Sequence, residues 1–210
     1  MKRFAALFLI LLLVFMLAAC GNGEQQEADP PVQQETETTE NQEDSGTDTA
    51  GDASQSIVVY FSGTGNTKQV AETMAAALGT KTLEIVPEEP YTEADLNYND
   101  DDCRANREMQ DDHARPGIDG DLSEVSEYET IYLGYPIWWG TAPRIIQTFM
   151  ESYDLSGKTV YTFCTSGGSG IDQSVSDLKD AYQEVNIADG HRFSRNDTQE
   201  TIQAWLESLK

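Results

Sequence analysis

Residues 57–79 read IVVYFSGTGNTKQVAETMAAALG, and the change of pattern inside this stretch decides the fold. Residues 57–61 form a continuous apolar run rich in β-branched and aromatic side chains, the composition of a short strand buried on both faces. From Thr67 the apolar positions Val70, Met74 and Ala77 recur at helical spacing with Ala71, Ala75 and Leu78 beside them, and Gly79 stands where a C-terminal cap is expected. Between strand and helix lies SGTGNT, residues 62–67. It offers the hydroxyls of Ser62, Thr64 and Thr67, the amide of Asn66, and glycines at 63 and 65 that let backbone N–H groups approach a ligand closely. Donors gathered at a helix N-terminus favour an anion. The loop lacks the GKT or GKS ending of a nucleotide-triphosphate loop and the third glycine of the dinucleotide fingerprint. A phosphate monoester fits best, and a merely well-capped helix start is the competing reading.

Outward from this stretch the strand and helix signals alternate. Strands are expected at 81–86 (KTLEIV), 130–136 (TIYLGYP), 159–164 (TVYTFC) and, more weakly, 186–193 (NIADGHRF). Helices are expected over IIQTFMESY after Pro143, over DQSVSDLKDAYQ from Asp172, where Val175, Leu178 and Tyr182 share a face, and over TIQAWLESL near the end. Asp197 and Glu200 have capping-box spacing ahead of that last helix. Alternation of this kind implies crossover connections and a parallel sheet covered on both sides, an α/β domain. Residues 87–128 interrupt the pattern with a long, acidic, proline-containing stretch holding one helix near residues 104–109; its length marks an elaborated connection at a functional edge.

In a parallel sheet ligands bind beyond the carboxyl ends of the strands, so three loops matter: SGTGNT, YPIWWGTAP and TSGGSGI. In the second, Pro136, Ile137, Trp138, Trp139 and Gly140 put two large aromatics at a strand end, where exposed rings call for a flat partner and core packing of one ring is the competing use. In the third, Thr165, Ser166, Gly167 and Gly168 supply small residues and backbone donors to the same edge. Ile171 takes the place of the closing glycine that a serine-hydrolase elbow around Ser169 would need.

The chain ahead of the domain has a different character. Residues 1–20, MKRFAALFLILLLVFMLAAC, open with Lys2 and Arg3, run apolar, and read as an export signal too short for a spanning helix. LAAC at residues 17–20 resembles the lipobox of bacterial lipoprotein signals, which makes Cys20 the expected lipidated residue and the membrane the expected anchor; an ordinary secreted protein is the alternative. Residues 21–55 hold ten acids, no base and Val32 as their one large apolar residue, so they read as a disordered acidic tether. That leaves 56–210 as the folded domain.

Of 37 acids and 13 bases in the whole chain, 27 and 11 fall in that domain, for a net charge near −16. Such a surface argues against nucleic acid as a partner. The domain's two cysteines, Cys103 and Cys164, show no metal-ligand spacing; Cys164 reads as a buried hydrophobe, with a Cys103–Cys164 disulfide as the lesser alternative.

Taken together, YFSGTGNTKQVA, GYPIWWGTAP, SGKTVYTFCTSGGSG and the closing AWLESL resemble the flavodoxin-like family across residues 56–210. The sequence departs from the phosphate-loop signature at Ala75, where a larger aliphatic is usual. The resemblance implies a doubly wound five-stranded parallel sheet of order 2-1-3-4-5 holding FMN non-covalently, its phosphate on residues 62–67 and its ring beside the second and third loops. It further implies electron transfer with a redox partner protein or a small electron acceptor and no catalytic side chain; the export signal and lipobox put that activity on the outer side of a bacterial membrane. Two other readings stand beside it: an FMN-dependent NAD(P)H:quinone-type reductase, and a lipoprotein binding module that has lost the flavin. Nothing in the sequence speaks to oligomeric state.

The lipobox reading generates one expectation. Cys20→Ser should move the protein from the membrane to the soluble fraction and abolish metabolic labelling by a fatty acid; an unlabelled, soluble wild-type protein would remove the anchor from the picture.

Overall fold

The computed structural model describes residues 55–194 and 196–210; the expected signal, Cys20 and the tether up to residue 54 lie outside the described residues. Within them, β1 (Ser56–Tyr60) leads into α1 (Asn66–Leu78), and β2 (Thr82–Glu84), β5 (Thr130–Pro136), β6 (Thr159–Thr165) and β7 (Asn186–Phe193) complete the main sheet. Its order is β2-β1-β5-β6-β7, with every pairing parallel. Counted along this sheet alone, that is 2-1-3-4-5, the expected order.

Parallel strands covered on both sides must bury alternate residues in two separate cores. Ile57, Val59 and Phe61 enter one core together with Ile131, Leu133, Tyr135, Val160 and Cys164; Val58 and Tyr60 enter the other with Tyr132, Phe163 and Phe193. The first core is covered by α3 (Arg144–Ser152), α4 (Asp172–Ala181) and α2 (Arg104–Gln110), the second by α1 and α5 (Gln199–Ser208). Ala75, small where the resemblance leads one to expect a larger side chain, is buried in the same cluster as Met74 and Trp205, whose bulk occupies that face.

Two local expectations are corrected, and the cysteines follow the reading of Cys164 as a buried hydrophobe rather than the disulfide alternative. The run 81–86 is not one strand. After Glu84 and a single bond from the Ile85 N–H to the Tyr60 carbonyl (2.7 Å), the chain leaves the sheet, and β3 (Val86–Pro87) pairs antiparallel with β4 (Ile118–Asp119). Pro87 has no N–H to continue a ladder, and Val86 is exposed. Asp197 does not cap the last helix, whose N-cap is Thr198; its Oδ2 instead accepts the Ser194 N–H at 2.7 Å, so the carboxylate closes a turn one step earlier. Cys103 and Cys164 are both free and buried. Burial pushes the Cys164 thiol up to about 12, while Cys103 caps α2, its Sγ accepting the Asn106 N–H at 3.4 Å.

The stretch 87–128 is tied down rather than loose. Tyr91 packs in the core-side aromatic group with Phe61 and Trp138 at centroid separations of 5.7 and 5.2 Å. Arg104 lies 4.1 Å over the Tyr91 ring and donates to Glu108 at 2.6 Å, and the Tyr91 hydroxyl donates to the same carboxylate. From α3, buried Arg144 donates to the Met109 carbonyl (3.2 Å) and to Asp112, and Arg115 grips Glu151 with two bonds of 2.8 Å. That fork holds Glu151 below the usual carboxylate range.

Gly134, in the middle of β5, leaves room for the buried ring of Phe163: a Cβ at this position would stand 2.1 Å from Phe163 Cζ. Gly134→Ala should therefore destabilise the domain by about 1–3 kcal/mol through overpacking, read as a lowered urea midpoint; an unchanged midpoint would show that the two strands have slack there.

Candidate functional site

The reversal of strand order falls between β1 and β5, and the crevice lies outside the carboxyl ends of these strands. A cleft of about 850 Å³ opens there, within the range of small-molecule and cofactor sites. Every strand of the main sheet sends it a loop. Gly63, Thr64 and Asn66 follow β1, Leu96 and Tyr98 come from the long connection after β2, Pro136 to Trp139 follow β5, Thr165 to Gly167 follow β6, and Ser194 and Asn196 follow β7.

The loop after β1 leaves the start of α1 uncapped. Gly65 is the N-cap of α1 in the left-handed region (φ 84°), which favours glycine, and no side chain caps the helix. The first-turn N–H groups of a helix have no intrahelical partner and carry its positive dipole end. Asn66 Nδ2 donates to Thr64 Oγ1 at 2.9 Å, which orients that hydroxyl from within the loop. Thr67, buried, shares a hydrogen bond of 2.8 Å with the Thr165 hydroxyl, joining the first loop to the third. Ser62 Oγ is buried and has no hydrogen-bond partner among the described residues. A buried hydroxyl without a partner is costly, and here it stands directly ahead of the uncapped helix.

The one cation on this part of α1, Lys68, is directed away: its Nζ donates to Glu84 at 3.0 Å, a carboxylate that also accepts from Tyr60. The described residues lining the cleft carry no charge. An anion there is thus met by hydroxyls, an amide and the helix terminus.

The aromatic loop divides its two tryptophans. Trp138 is 7% exposed and packs edge-on to Phe61 at 5.6 Å, forming the floor of the cleft. Trp139 is 49% exposed, reaching outward to meet the edge of Tyr98, itself 66% exposed, at 6.0 Å. Trp138 and Thr141 exchange backbone bonds of 3.0 Å across a tight turn whose central residues, Trp139 (φ 49°) and Gly140 (φ 85°), are both left-handed. This is the primed turn that favours Asn-Gly; holding a bulky residue there costs about 1–3 kcal/mol. The Ile137 N–H donates to the Thr165 carbonyl (3.1 Å), and the Ser166 N–H to the Phe193 carbonyl (3.4 Å), so the chain ends of β5, β6 and β7 are sewn together.

Of the expected site residues, Gly63, Thr64, Asn66, Pro136, Ile137, Trp138, Trp139, Thr165, Ser166 and Gly167 line the cleft. Ser62 and Thr67, at the two ends of the first loop, do not line the cleft, Gly65 and Gly140 shape turns, and Gly168 is exposed within the third loop. Leu96, Tyr98, Ser194 and Asn196 belong to the cleft without having stood out in the sequence. They lie in segments without periodicity, and the one available signal was the unusual length of the connection that carries Leu96 and Tyr98.

Fold and site together define a doubly wound α/β protein with an uncharged, aromatic-walled cleft at its switch point. The chain belongs to the flavodoxin family: the family model described as Flavodoxin (Flavodoxin_4) matches residues 55–209. Among solved structures it is similar to a protein assigned as a flavoprotein from Bacteroides eggerthii, at 42% identity over 74% of this chain and 97% of that one, with a TM-score of 0.70. A protein with the same assignment from Bacteroides uniformis matches at 41% identity over 73% and 97%, with a TM-score of 0.71. A flavoprotein in complex with FMN from Lactobacillus acidophilus matches at 26% identity over 66% and 92%, with a TM-score of 0.52. No curated protein matches the chain.

Proposed function

We propose that the protein binds FMN non-covalently in this cleft and serves electron transfer on the outer side of a bacterial membrane, to which lipid on Cys20 holds it. The observation that carries the cofactor reading is the buried hydroxyl of Ser62, without a hydrogen-bond partner among the described residues, in front of an uncapped helix N-terminus. A phosphate monoester supplies the acceptor that this hydroxyl lacks. When bound, the isoalloxazine supplies the redox chemistry, taking up one electron or a hydride equivalent.

The protein's own groups would bind and orient. Ser62, Thr64, Thr67 and the first N–H groups of α1 hold the phosphate, and residues 136–140 with 165–168 border the ring. Around them, the acidic surface disfavours a reduced anionic flavin, which lowers its potential. The electrons pass to or from a redox partner protein or a small acceptor. The FMN complex of the Lactobacillus acidophilus flavoprotein supports the choice of cofactor, and the lipobox LAAC supports the location.

A second reading, an FMN-dependent NAD(P)H:quinone-type reductase, draws support from one observation. Tyr98 and Trp139 are exposed together at the mouth of the cleft, as an open edge for a planar acceptor requires. The two readings part on turnover: a carrier oxidises NADH or NADPH slowly without a partner reductase, whereas a reductase couples either one to quinone directly. Rapid quinone turnover by the wild-type protein alone would replace the carrier reading.

The phosphate assignment has its own test. Ser62→Ala removes a hydroxyl that has no partner among the described residues, so the apo protein should keep its urea midpoint or gain slightly, while FMN binding weakens by about 1.5–3 kcal/mol, the worth of a bond to a charged group. Riboflavin, which has no phosphate, should bind wild type and variant alike in a fluorescence titration. Equal losses for FMN and riboflavin would place the phosphate elsewhere, and a wild-type protein that gains no visible flavin bands after FMN is added would leave the fold without its cofactor.

A further inference from the structure

The turn that carries Trp139 is held from outside. Thr141, its last residue, donates its Oγ1 hydrogen to Asp177 Oδ2 at 2.6 Å, and the other carboxylate oxygen accepts from Gln173 Nε2 at 2.7 Å. Asp177 lies in α4, the helix that begins directly after the third loop. One carboxylate thus bridges the helix leaving one wall of the cleft and the turn that forms another wall. The turn needs such a hold. With Trp139 at φ 49° its backbone is in a region that bulky residues leave unless the surroundings over-determine it. The reciprocal backbone pair between Trp138 and Thr141 closes the turn, but backbone pairing alone does not select the primed form. The charge-assisted bond to Thr141 fixes the turn's end relative to α4, and a charged acceptor makes it the stronger kind of hydrogen bond.

We propose that Asp177 is a positioning residue for the cofactor cleft: by holding Thr141 it keeps the Trp138–Thr141 turn left-handed, and so keeps the Trp139 indole at the mouth, edge-on to Tyr98. Without that hold the turn relaxes toward negative φ at Trp139, and the indole swings off the cleft. Gln173 keeps the carboxylate facing the turn. The consequence for FMN rests on the cofactor reading above; the hold on the turn does not.

The experiment uses the full-length chain as wild type, Asp177→Ala, Asp177→Asn, Thr141→Val and the Thr141→Val/Asp177→Ala pair. In the apo protein, hydrogen–deuterium exchange over residues 136–142 reads the turn directly, and Asp177→Ala should speed it by about tenfold while the central strands keep their protection. Asp177→Asn retains a carbonyl acceptor for Thr141 and should stay within about threefold of wild type. The double variant should exchange no faster than Asp177→Ala, since both changes break one bond. Unchanged exchange in Asp177→Ala, an Asn variant as fast as the Ala variant, or additive effects in the pair would each overturn the hold. With FMN added, Asp177→Ala should raise the Kd about tenfold and shift the potential of the bound flavin, and Asp177→Asn should restore both. Fast exchange with wild-type FMN affinity and potential would overturn the link from turn to cofactor. A wild-type protein that takes up no FMN refutes the cofactor reading and with it that link, leaving the hold on the turn to stand or fall by the exchange result.

Discussion

Strand β1 lies between β2 and β5, and all five of its residues are buried. A strand with water on neither face must send alternate side chains into two different cores, and this one does so with Ile57 and Val59 on one side, joined there by Phe61 just past its end, and Val58 and Tyr60 on the other. That demand for apolar cover on both faces places helices on both sides of the sheet. The ladder is satisfied by parallel neighbours, whose crossovers bring every loop that follows a strand to the same edge. The cleft is the outcome: five loops meet where the order of strands reverses, because β1 is the strand from which the chain winds in both directions.

On that edge polarity is arranged against the charge of the whole. A domain carrying a large excess of acids presents a cleft whose described lining is neutral. The nearby lysine is engaged by Glu84, so an anion has to be recognised by dipoles and hydroxyls rather than by a counter-ion. This suits a group held for its position: hydroxyls and N–H groups are directional, and they bind without the long-range pull a lysine would exert on every passing anion. The bond between Thr67 and Thr165 makes the first loop and the third loop one unit.

The long connection after β2 shows how an addition to a fold becomes part of its site. Its anchors are arginines and aromatics rather than regular structure: Arg104 over Tyr91, the pair they share with Glu108, and Arg144 and Arg115 reaching between α3 and the connection. Tyr91 joins Phe61 and Trp138 beneath the cleft while Tyr98 rises at its mouth, so one insertion supplies both support and rim. Each exposed ion pair is worth little alone; the buried aromatic group fixes the segment, and the arginines set its direction.

The order of strands and helices, the glycine- and hydroxyl-rich loop between β1 and α1, and the aromatic loop were legible in the sequence by itself, because each is written in local terms: a five-residue apolar run, a 3.6-residue period, and glycines and hydroxyls in the short interval between them. The break after Glu84 was not, since KTLEIV has strand composition throughout and what ends it is the pairing of Val86 and Pro87 with a segment over thirty residues away. Neither was the capping of α5, where Asp197 has the right spacing but spends its carboxylate on Ser194. Nor could the sequence assign the two tryptophans. Adjacent residues of one type are told apart by the packing of Trp138 on Phe61 and Tyr91 and by the positive φ at Trp139, in a turn whose Thr141 bonds to Asp177 of another helix. Tyr98, Leu96, Ser194 and Asn196 reached the cleft in the same way. Local pattern determines which elements form, whereas the walls of a site are made by residues far apart in the chain, and only the packing of the whole domain brings them together.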